Sequence, residues 1–161
     1  MLLDLPLILE TRRNHALEHA TLHILARNHN GPMAGHSNPT GYFILGDIST
    51  DDLRAAADEA HARLNAGERG LAIHPGCGTN LATTVGLAGT FAWIPLKGRK
   101  STLGRLAVLL LALLFAALGF ALARQLGPSL QQHVTTEAHL GNLHITEIRF
   151  IRKGVHRVIT K

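Results

Sequence analysis

The chain has few cysteines, few aromatic residues and, along one stretch, no charge, and each shortage excludes a class of protein. Its single cysteine, Cys77, cannot form an intrachain disulfide, so the fold depends on packing, a membrane or a metal. Aromatic residues make up only 4% of the 161 residues and no DNA- or RNA-binding signature occurs, so we predict no nucleic-acid partner. Contact with anionic lipid headgroups explains the formal net charge of +5.

A long apolar stretch lies between Arg105 and Arg124, where no ionisable side chain occurs. A helix of that length, rising about 1.5 Å per residue, nearly covers the ~30 Å hydrocarbon core of a bilayer. We therefore predict that residues 106–123 cross a bacterial cell membrane and make the chain an integral membrane protein. Residues 81–96 are apolar but shorter, and we expect them to span or enter the bilayer as the first arm of a hairpin. The alternative is a buried core helix of a soluble protein.

Outside the apolar segments, the sequence pattern predicts a small α+β domain. Residues 14–28 and 51–64 have the spacing of amphipathic helices. The polar residues 28–40 between them are rich in turn formers and are predicted to be a loop. Short apolar or alternating runs predict four strands, at residues 41–48, 70–74, 143–151 and 155–160. We expect these strands to form a mostly antiparallel sheet with the two helices against it.

The domain organisation follows from where the apolar segments fall. Residues 1–80 form an N-terminal α/β segment, residues 81–126 form the transmembrane hairpin, and residues 127–161 form a C-terminal β segment. We predict that the first and last segments complete one domain, because neither holds enough strands for a separate sheet.

Polar residues on one face of the first predicted helix are candidates for metal chemistry. On a helix turning about 100° per residue, His19 lies about 40° and His23 about 80° from His15, with Glu18 about 60° on the other side. Two imidazoles one turn apart can bind a single zinc ion, and a neighbouring glutamate can act as the base for a metal-bound water. We therefore predict His15 and His19 as ligands and Glu18 as the catalytic base. His23 is an additional candidate ligand.

A second group of candidates lies in the glycine-bounded loop with the sequence HPGCGTN, at residues 74–80. His74 or Cys77 would supply a third ligand to zinc or another divalent transition metal. Cys77 has two other interpretations: a nucleophile with the loop amides as an oxyanion hole, or a small buried side chain in a turn. His36 and Asn80 are further candidates for the same site.

The spacing His15-x-x-Glu18-His19 resembles the inverted zinc motif H-x-x-E-H of the inverzincin metallopeptidases. The resemblance implies that the two histidines bind zinc, that the glutamate activates water, and that an acidic residue far downstream completes the ligand set. This chain is much smaller than those enzymes, and no residue in it is matched to the downstream ligand.

Three longer blocks resemble a family of uncharacterised bacterial membrane proteins, a domain of unknown function found in cyanobacteria and Chloroflexi-like bacteria. The blocks are HALEHAT at residues 15–21, SNPTGYF at residues 37–43 and AIHPGCGTN at residues 72–80. The resemblance extends over nearly the whole chain, including the apolar hairpin. It implies a shared architecture and a shared site, but no activity.

These observations lead to three hypotheses of function. The first is a membrane-anchored, zinc-dependent hydrolase that cleaves a peptide or amide bond in a peptide or small-molecule substrate near the bilayer. The second is a non-enzymatic membrane subunit that binds a metal or a tetrapyrrole. The third needs no metal: the histidine face forms the interface of a homo-oligomer or a proton-sensitive surface, since imidazoles titrate near neutral pH.

Overall fold

A computed structural model describes residues 2–98 and 101–161 of the chain. The chain forms two compact units. We call Met1–His74 with Gln131–Lys161 the α+β unit, and Pro75–Leu130 the helical unit.

The α+β unit contains two helices and a four-stranded sheet. Its elements are α1 (Pro6–Leu25), β1 (Ala34–Asn38), β2 (Gly41–Leu45), α2 (Thr50–Asn65), β3 (Ile145–Arg152) and β4 (Val155–Thr160). All neighbouring strands are antiparallel, in the order β1-β2-β4-β3. The predicted α+β class with a four-stranded antiparallel sheet is confirmed.

The first helix begins eight residues earlier than the sequence pattern predicts, at Pro6 instead of Asn14. Proline is favoured in the first turn of a helix, where its missing N–H has no partner to lose. Asn14 is fully buried in the middle of α1. Its Nδ2 donates to the carbonyl oxygens of Asn38 and Pro39, and its Oδ1 accepts a hydrogen bond from Thr160. Asn14 therefore joins α1 to the β1–β2 turn and to β4.

Helix α2 lies within one residue of its predicted bounds at each end. Ser49 precedes it and accepts a hydrogen bond from the backbone N–H of Asp52 at 3.0 Å, which caps the first turn. The helix packs against α1, and the core that α1, α2 and the sheet enclose includes fully buried Leu17, Tyr42, Ile44, Leu53 and Val158.

Two strand assignments differ from the sequence-based prediction. Residues 70–74 do not form a strand: Arg69–Ala72 is a short 3-10 helix. The carbonyl oxygens of Ala72 and Ile73 accept hydrogen bonds from histidines of α1 rather than from a neighbouring strand. β1 (Ala34–Asn38) instead lies within the predicted loop. It has no β-branched or aromatic residue, so the sequence pattern did not reveal it.

The helical unit consists of α3 (Gly78–Leu96), α4 (Thr102–Ala107) and α5 (Leu109–Leu130). Helices α3 and α5 pack antiparallel along glycines of α5. A Cβ on Gly119 would lie 2.7 Å from the carbonyl oxygen of Leu87. A Cβ on Gly127, two turns later, would lie 2.4 Å from Oδ1 of Asn80, nearer the start of α3. The absence of a side chain at Gly119 therefore lets two backbones touch.

Among the described residues, one helix is long and apolar enough to cross a membrane by length and composition, and it runs from Leu109 to Thr135. It joins α5 to a π-helical turn at Gln131–Thr135. Only 17% of its most apolar window is buried, which is low for the core helix of a soluble protein. Helix α3 does not meet the same criterion, so the predicted transmembrane hairpin is reduced to one candidate span. That span begins at Leu109, because the helix containing residues 106 and 107 is α4.

Candidate metal centre

Four histidines of the α+β unit form one row of rings, which we call the histidine cluster. The ring centroids of His15 and His19 are 4.3 Å apart, those of His19 and His74 are 5.6 Å apart, and those of His74 and His23 are 4.8 Å apart. Three members lie one turn apart along α1, whereas His74 follows the 3-10 helix. The fold thus brings His74, the first residue of the second candidate segment, to the histidines of α1.

Backbone carbonyls hold three rings of the cluster. The bonds join His15 Nδ1 to Thr135 at 2.9 Å, His19 Nδ1 to Ala72 at 2.7 Å, and His23 Nε2 to Ile73 at 2.8 Å. A carbonyl oxygen only accepts, so each bonded nitrogen carries the proton, and in the neutral ring the other nitrogen carries a lone pair. Metal-binding histidines are oriented in this way, with one nitrogen donating to a carbonyl and the other facing the ion.

The spacing within the first pair suits a single ion. One ring nitrogen of His15 and one of His19 lie within 4.8 Å of each other. Two imidazole nitrogens bound to the same tetrahedral zinc lie about 3.4 Å apart. A modest rotation of the rings therefore brings both nitrogens to bonding distance of one ion.

The environment of His74 favours its neutral form. Burial, together with positive charge on His23 and His19, lowers the pKa of His74 to about 4. The backbone N–H of His74 donates to Oε1 of Gln131 at 2.9 Å, and Gln131 itself is fully buried. A neutral imidazole is the form that binds a metal ion.

Glu18 is 4% exposed and its carboxylate faces β1. Ser37 donates a hydrogen bond to it, and a Cβ on Gly35 would meet its Oε1, so a larger residue at that position of the strand would displace the carboxylate. Burial raises the pKa of the Tyr42 hydroxyl, which a hydrogen bond with Thr21 partly offsets and the charge of Glu18 reinforces. The carboxylate is therefore fixed by β1 and lies close enough to affect a core tyrosine.

His36 is on β1, in register with Phe43, and its side chain is exposed. Alternate residues of a strand face opposite sides of the sheet. Since Gly35 and Ser37 face Glu18 on α1, His36 faces away from α1. The structure does not bring His36 to the histidine cluster.

Cys77 and Asn80 belong to the helical unit. Cys77 is 7% exposed and its Sγ accepts a hydrogen bond from the backbone N–H of Thr79 at 3.4 Å, so it caps α3. The side-chain amide of Asn80 donates to the carbonyl oxygen of Pro75 at 3.0 Å. Both side chains help to shape the start of α3.

Sequence reasoning missed the groups that hold the cluster in place. Thr135, Ala72 and Ile73 act through backbone carbonyls, for which no side-chain pattern exists. Gly35 and Ser37, by contrast, carry a usable signal, because two small residues at alternate positions of a strand indicate a bulky group packed against that face.

A cavity of about 440 Å³ lies beside the segments that carry these carbonyls. Its lining residues are Arg69, Gly70, Ala72, Ile73, Gln132, His133, Thr136, Glu137, Ala138 and His139. Its volume is in the range of small-molecule sites, and its walls offer groups of both charges. Ala72 and Ile73 line the cavity and also hold two rings of the cluster, so an occupant would lie next to the histidines.

Fold and site together define a small α+β protein with a helical insertion and a cluster of carbonyl-anchored histidines. Residues 10–148 match the Domain of unknown function DUF6391, so the chain belongs to this family. It is 36% identical over 156 residues to an uncharacterized protein of Picosynechococcus sp., with 88% of this chain and 73% of the relative covered. No solved structure matches the chain. The family that the sequence blocks resemble is thus confirmed as one of unknown function.

Proposed function

We propose that this chain is a membrane-anchored protein that binds zinc or another divalent transition metal at its histidine cluster and hydrolyses a peptide or amide bond. The observation that carries the proposal is the anchoring of three imidazoles by backbone carbonyls. This anchoring fixes the protonated nitrogen of each ring, and histidines that bind a metal are oriented in the same way, with their second nitrogen towards the ion.

The proposed ligands are His15, His19 and His74. Imidazole nitrogens suit zinc, and three protein ligands leave a position for water, as in catalytic zinc sites. Cys77 follows His74 by three residues and is a candidate fourth ligand on the basis of that closeness in the chain. If it binds, the site closes and becomes structural. His23 and Asn80 are additional candidate site residues, but the proposed ligand set does not require either of them.

In the proposed reaction the metal would supply one thing, a bound water whose pKa is lowered towards neutrality. Glu18 would take the proton of that water, and Ser37 would keep its carboxylate oriented. The cavity beside Ala72 and Ile73 would hold the substrate, with Arg69 available for an acidic group of the substrate and Glu137 for a basic one.

The membrane part of the proposal rests on α5. Many of its leucines are exposed, among them Leu110 at 78% and Leu114 at 67%. Exposing so many leucines to water is unfavourable, whereas contact between leucines and lipid tails is not. We propose that the helix from Leu109 to Thr135 crosses a bacterial cell membrane.

Metal analysis of the purified protein tests the binding step. We expect wild type to retain zinc, cobalt or nickel after dialysis, and the double variant His15→Ala, His19→Ala to lose it. The matched control is His144→Ala, because His144 is exposed and lies outside the cluster. Equal metal content in wild type and the double variant would exclude His15 and His19 as metal ligands. Cys77→Ser then decides whether the thiolate is a fourth ligand.

Glu18→Gln tests the catalytic step, because the amide keeps the shape of the side chain and cannot take a proton. With fluorescein-labelled casein and a peptide library as substrates, we expect the zinc-loaded wild type to cleave and the variant to lose activity by about 10²-fold or more while it keeps its metal. Full activity in the variant would exclude Glu18 as the base.

One observation favours a second candidate function, metal or tetrapyrrole binding without hydrolysis. The carboxylate of Glu18 accepts a hydrogen bond from Ser37 and packs against Gly35, which are contacts expected of a residue that fixes β1 to α1. A protein that binds metal stoichiometrically but cleaves no member of the peptide library would have this second function.

A further inference from the structure

The first residues of the α+β unit expose an apolar surface that neither the core nor the histidine cluster uses. Leu2 is 72% exposed, Leu5 is 49% exposed and Leu7 is 71% exposed. They lie on the short 3-10 helix Leu2–Asp4 and on the first residues of α1. Isolated exposed leucines are common on proteins, but three within six residues form a patch that calls for a partner.

Arg12 shows where this patch lies within the α+β unit. Its guanidinium donates from Nη1 to the carbonyl oxygen of Leu3 and from Nη2 to that of His133, each at 3.4 Å. A second bond from Nη2 reaches the carbonyl oxygen of Thr136 at 3.0 Å. One buried side chain thus ties the N-terminal leucines to the last turn of the helix that runs from Leu109 to Thr135.

That last turn continues the apolar surface of the helix. After the exposed Arg124, large apolar side chains recur every four residues, with Leu126 47% exposed, Leu130 37% exposed and Val134 41% exposed. A 27-residue helix rises about 40 Å, which exceeds the ~30 Å hydrocarbon core. The residues beyond Arg124 therefore belong to the lipid–water interface, where apolar side chains can still be buried.

We propose that Leu2, Leu5 and Leu7 are a second membrane contact, in which the start of α1 lies in the interfacial layer of the same bilayer that the long helix crosses. The partner is the boundary between headgroups and acyl chains. The argument is that Arg12 bonds both to Leu3, among the three leucines, and to His133, beside the exposed Val134 of that helix. This inference rests on the proposed membrane span and is independent of the metal.

Tryptophan fluorescence in lipid vesicles tests the contact. Trp93 is the only tryptophan, so Trp93→Phe gives a silent background for three single-tryptophan proteins, Leu5→Trp, Leu114→Trp and Leu45→Trp. Leu114 reports on the span. Leu45, which is 42% exposed on β2, is the matched control for Leu5. The full chain is reconstituted in vesicles of phosphatidylcholine and phosphatidylglycerol whose acyl chains carry bromine near the headgroup or near the tail end.

We expect shallow bromines to quench Leu5→Trp more than deep bromines do, with a blue-shifted emission. The opposite order is expected for Leu114→Trp, and no quenching is expected for Leu45→Trp. Leu7→Trp repeats the test if Leu5→Trp does not fold.

The outcomes separate this inference from the membrane proposal on which it rests. Quenching of Leu114→Trp without quenching at Leu5 and Leu7 overturns the second contact and leaves the span. No quenching at any position overturns both. A blue shift at Leu5 without quenching by brominated lipid means that a protein surface, such as a second copy of the chain, covers the patch, and this also overturns the inference.

Discussion

Helices α1 and α5 have nearly equal lengths, 20 and 22 residues, but their patterns of burial are opposite. α1 buries polar side chains, namely Arg12, Asn14, Glu18, His19 and Thr21. α5 buries only alanine and glycine, at Ala112, Gly119, Ala123 and Gly127, and exposes its leucines. α1 also contributes apolar side chains such as Leu17 to the core, whereas α5 buries no large side chain.

The two helices are stabilised by different physical means. Each buried polar group of α1 costs free energy unless it has a hydrogen-bond partner, so the stability of the α+β unit depends on specific bonds. α5 leaves its leucines exposed, so its association with α3 depends on close backbone packing at small residues such as Gly119. Substitutions that remove bonds should therefore act on the first unit, and substitutions that add volume should act on the second.

The largest effect is expected from Arg12→Met. The variant leaves the carbonyl oxygens of His133 and Thr136 without their buried donor, and we expect a loss of about 3 kcal/mol in the free energy of unfolding. Chemical denaturation in detergent measures it. The control is Arg54→Met at an exposed position of α2, with an expected change within about 0.5 kcal/mol. Similar losses for the two variants would mean that the buried bonds of α1 do not matter.

Gly119→Ala should have the next largest effect. The added methyl group meets the backbone of Leu87 and Ala88, which cannot rotate away, so α3 and α5 must separate at a cost of about 2 kcal/mol. Thermal unfolding followed by circular dichroism reports the loss. Gly89→Ala is the matched control, because a Cβ at Gly89 meets nothing within 4 Å. If Gly119→Ala is neutral, close packing does not hold the helical unit together.

Gly35→Ala should cost less, about 1–2 kcal/mol, because the methyl group meets a side chain, that of Glu18, which can shift. The double variant Gly35→Ala, Glu18→Ala measures the coupling: we expect its loss to be smaller than the sum of the two single losses, since the shorter side chain leaves room. Gly31→Ala, at a glycine with open space around it, should be close to neutral. Strict additivity would show that Gly35 and Glu18 do not compete for the same volume.

The smallest effect is the pH dependence of the metal-free α+β unit. Burial, with the charges of His23 and His19, lowers the pKa of His74 to about 4 from its ordinary value of 6.5. The unfolded chain therefore takes up a proton near pH 6.5 and the folded chain only near pH 4, so stability is full above this window and falls as the pH falls through it. Denaturation at a series of pH values measures the slope, and His74→Gln should flatten it. His74 is only half-buried, which keeps the effect small.

Local patterns predicted the elements whose residues interact with their neighbours in the sequence. β4 has the predicted bounds, and α2 has them to within one residue at each end. β1 was not predicted because its small residues make room for Glu18, which lies on α1 and not near β1 in the sequence. Residues 70–74 were wrongly predicted as a strand. Their backbone carbonyls accept hydrogen bonds from histidines about fifty positions earlier, and a local sequence pattern cannot indicate such contacts.

The same distinction applies to the site. The shared face of His15, His19 and His23 follows from helical spacing, and the sequence predicted it. The approach of His74 is a fact of the tertiary structure, and so are the carbonyls of Thr135, Ala72 and Ile73. Residue types suggest which groups can bind a metal, but only the fold shows which of them meet.

The sheet order β1-β2-β4-β3 affects how the chain is made. β4 lies between β2 and β3, and Thr160 on β4 bonds to Asn14 of α1. Residues 75–130 leave the ribosome before β4 does, so both apolar helices are synthesised while the first half of the sheet still lacks its central partner. The first 74 residues cannot complete their sheet until the last strand is synthesised, and until then they need protection from aggregation.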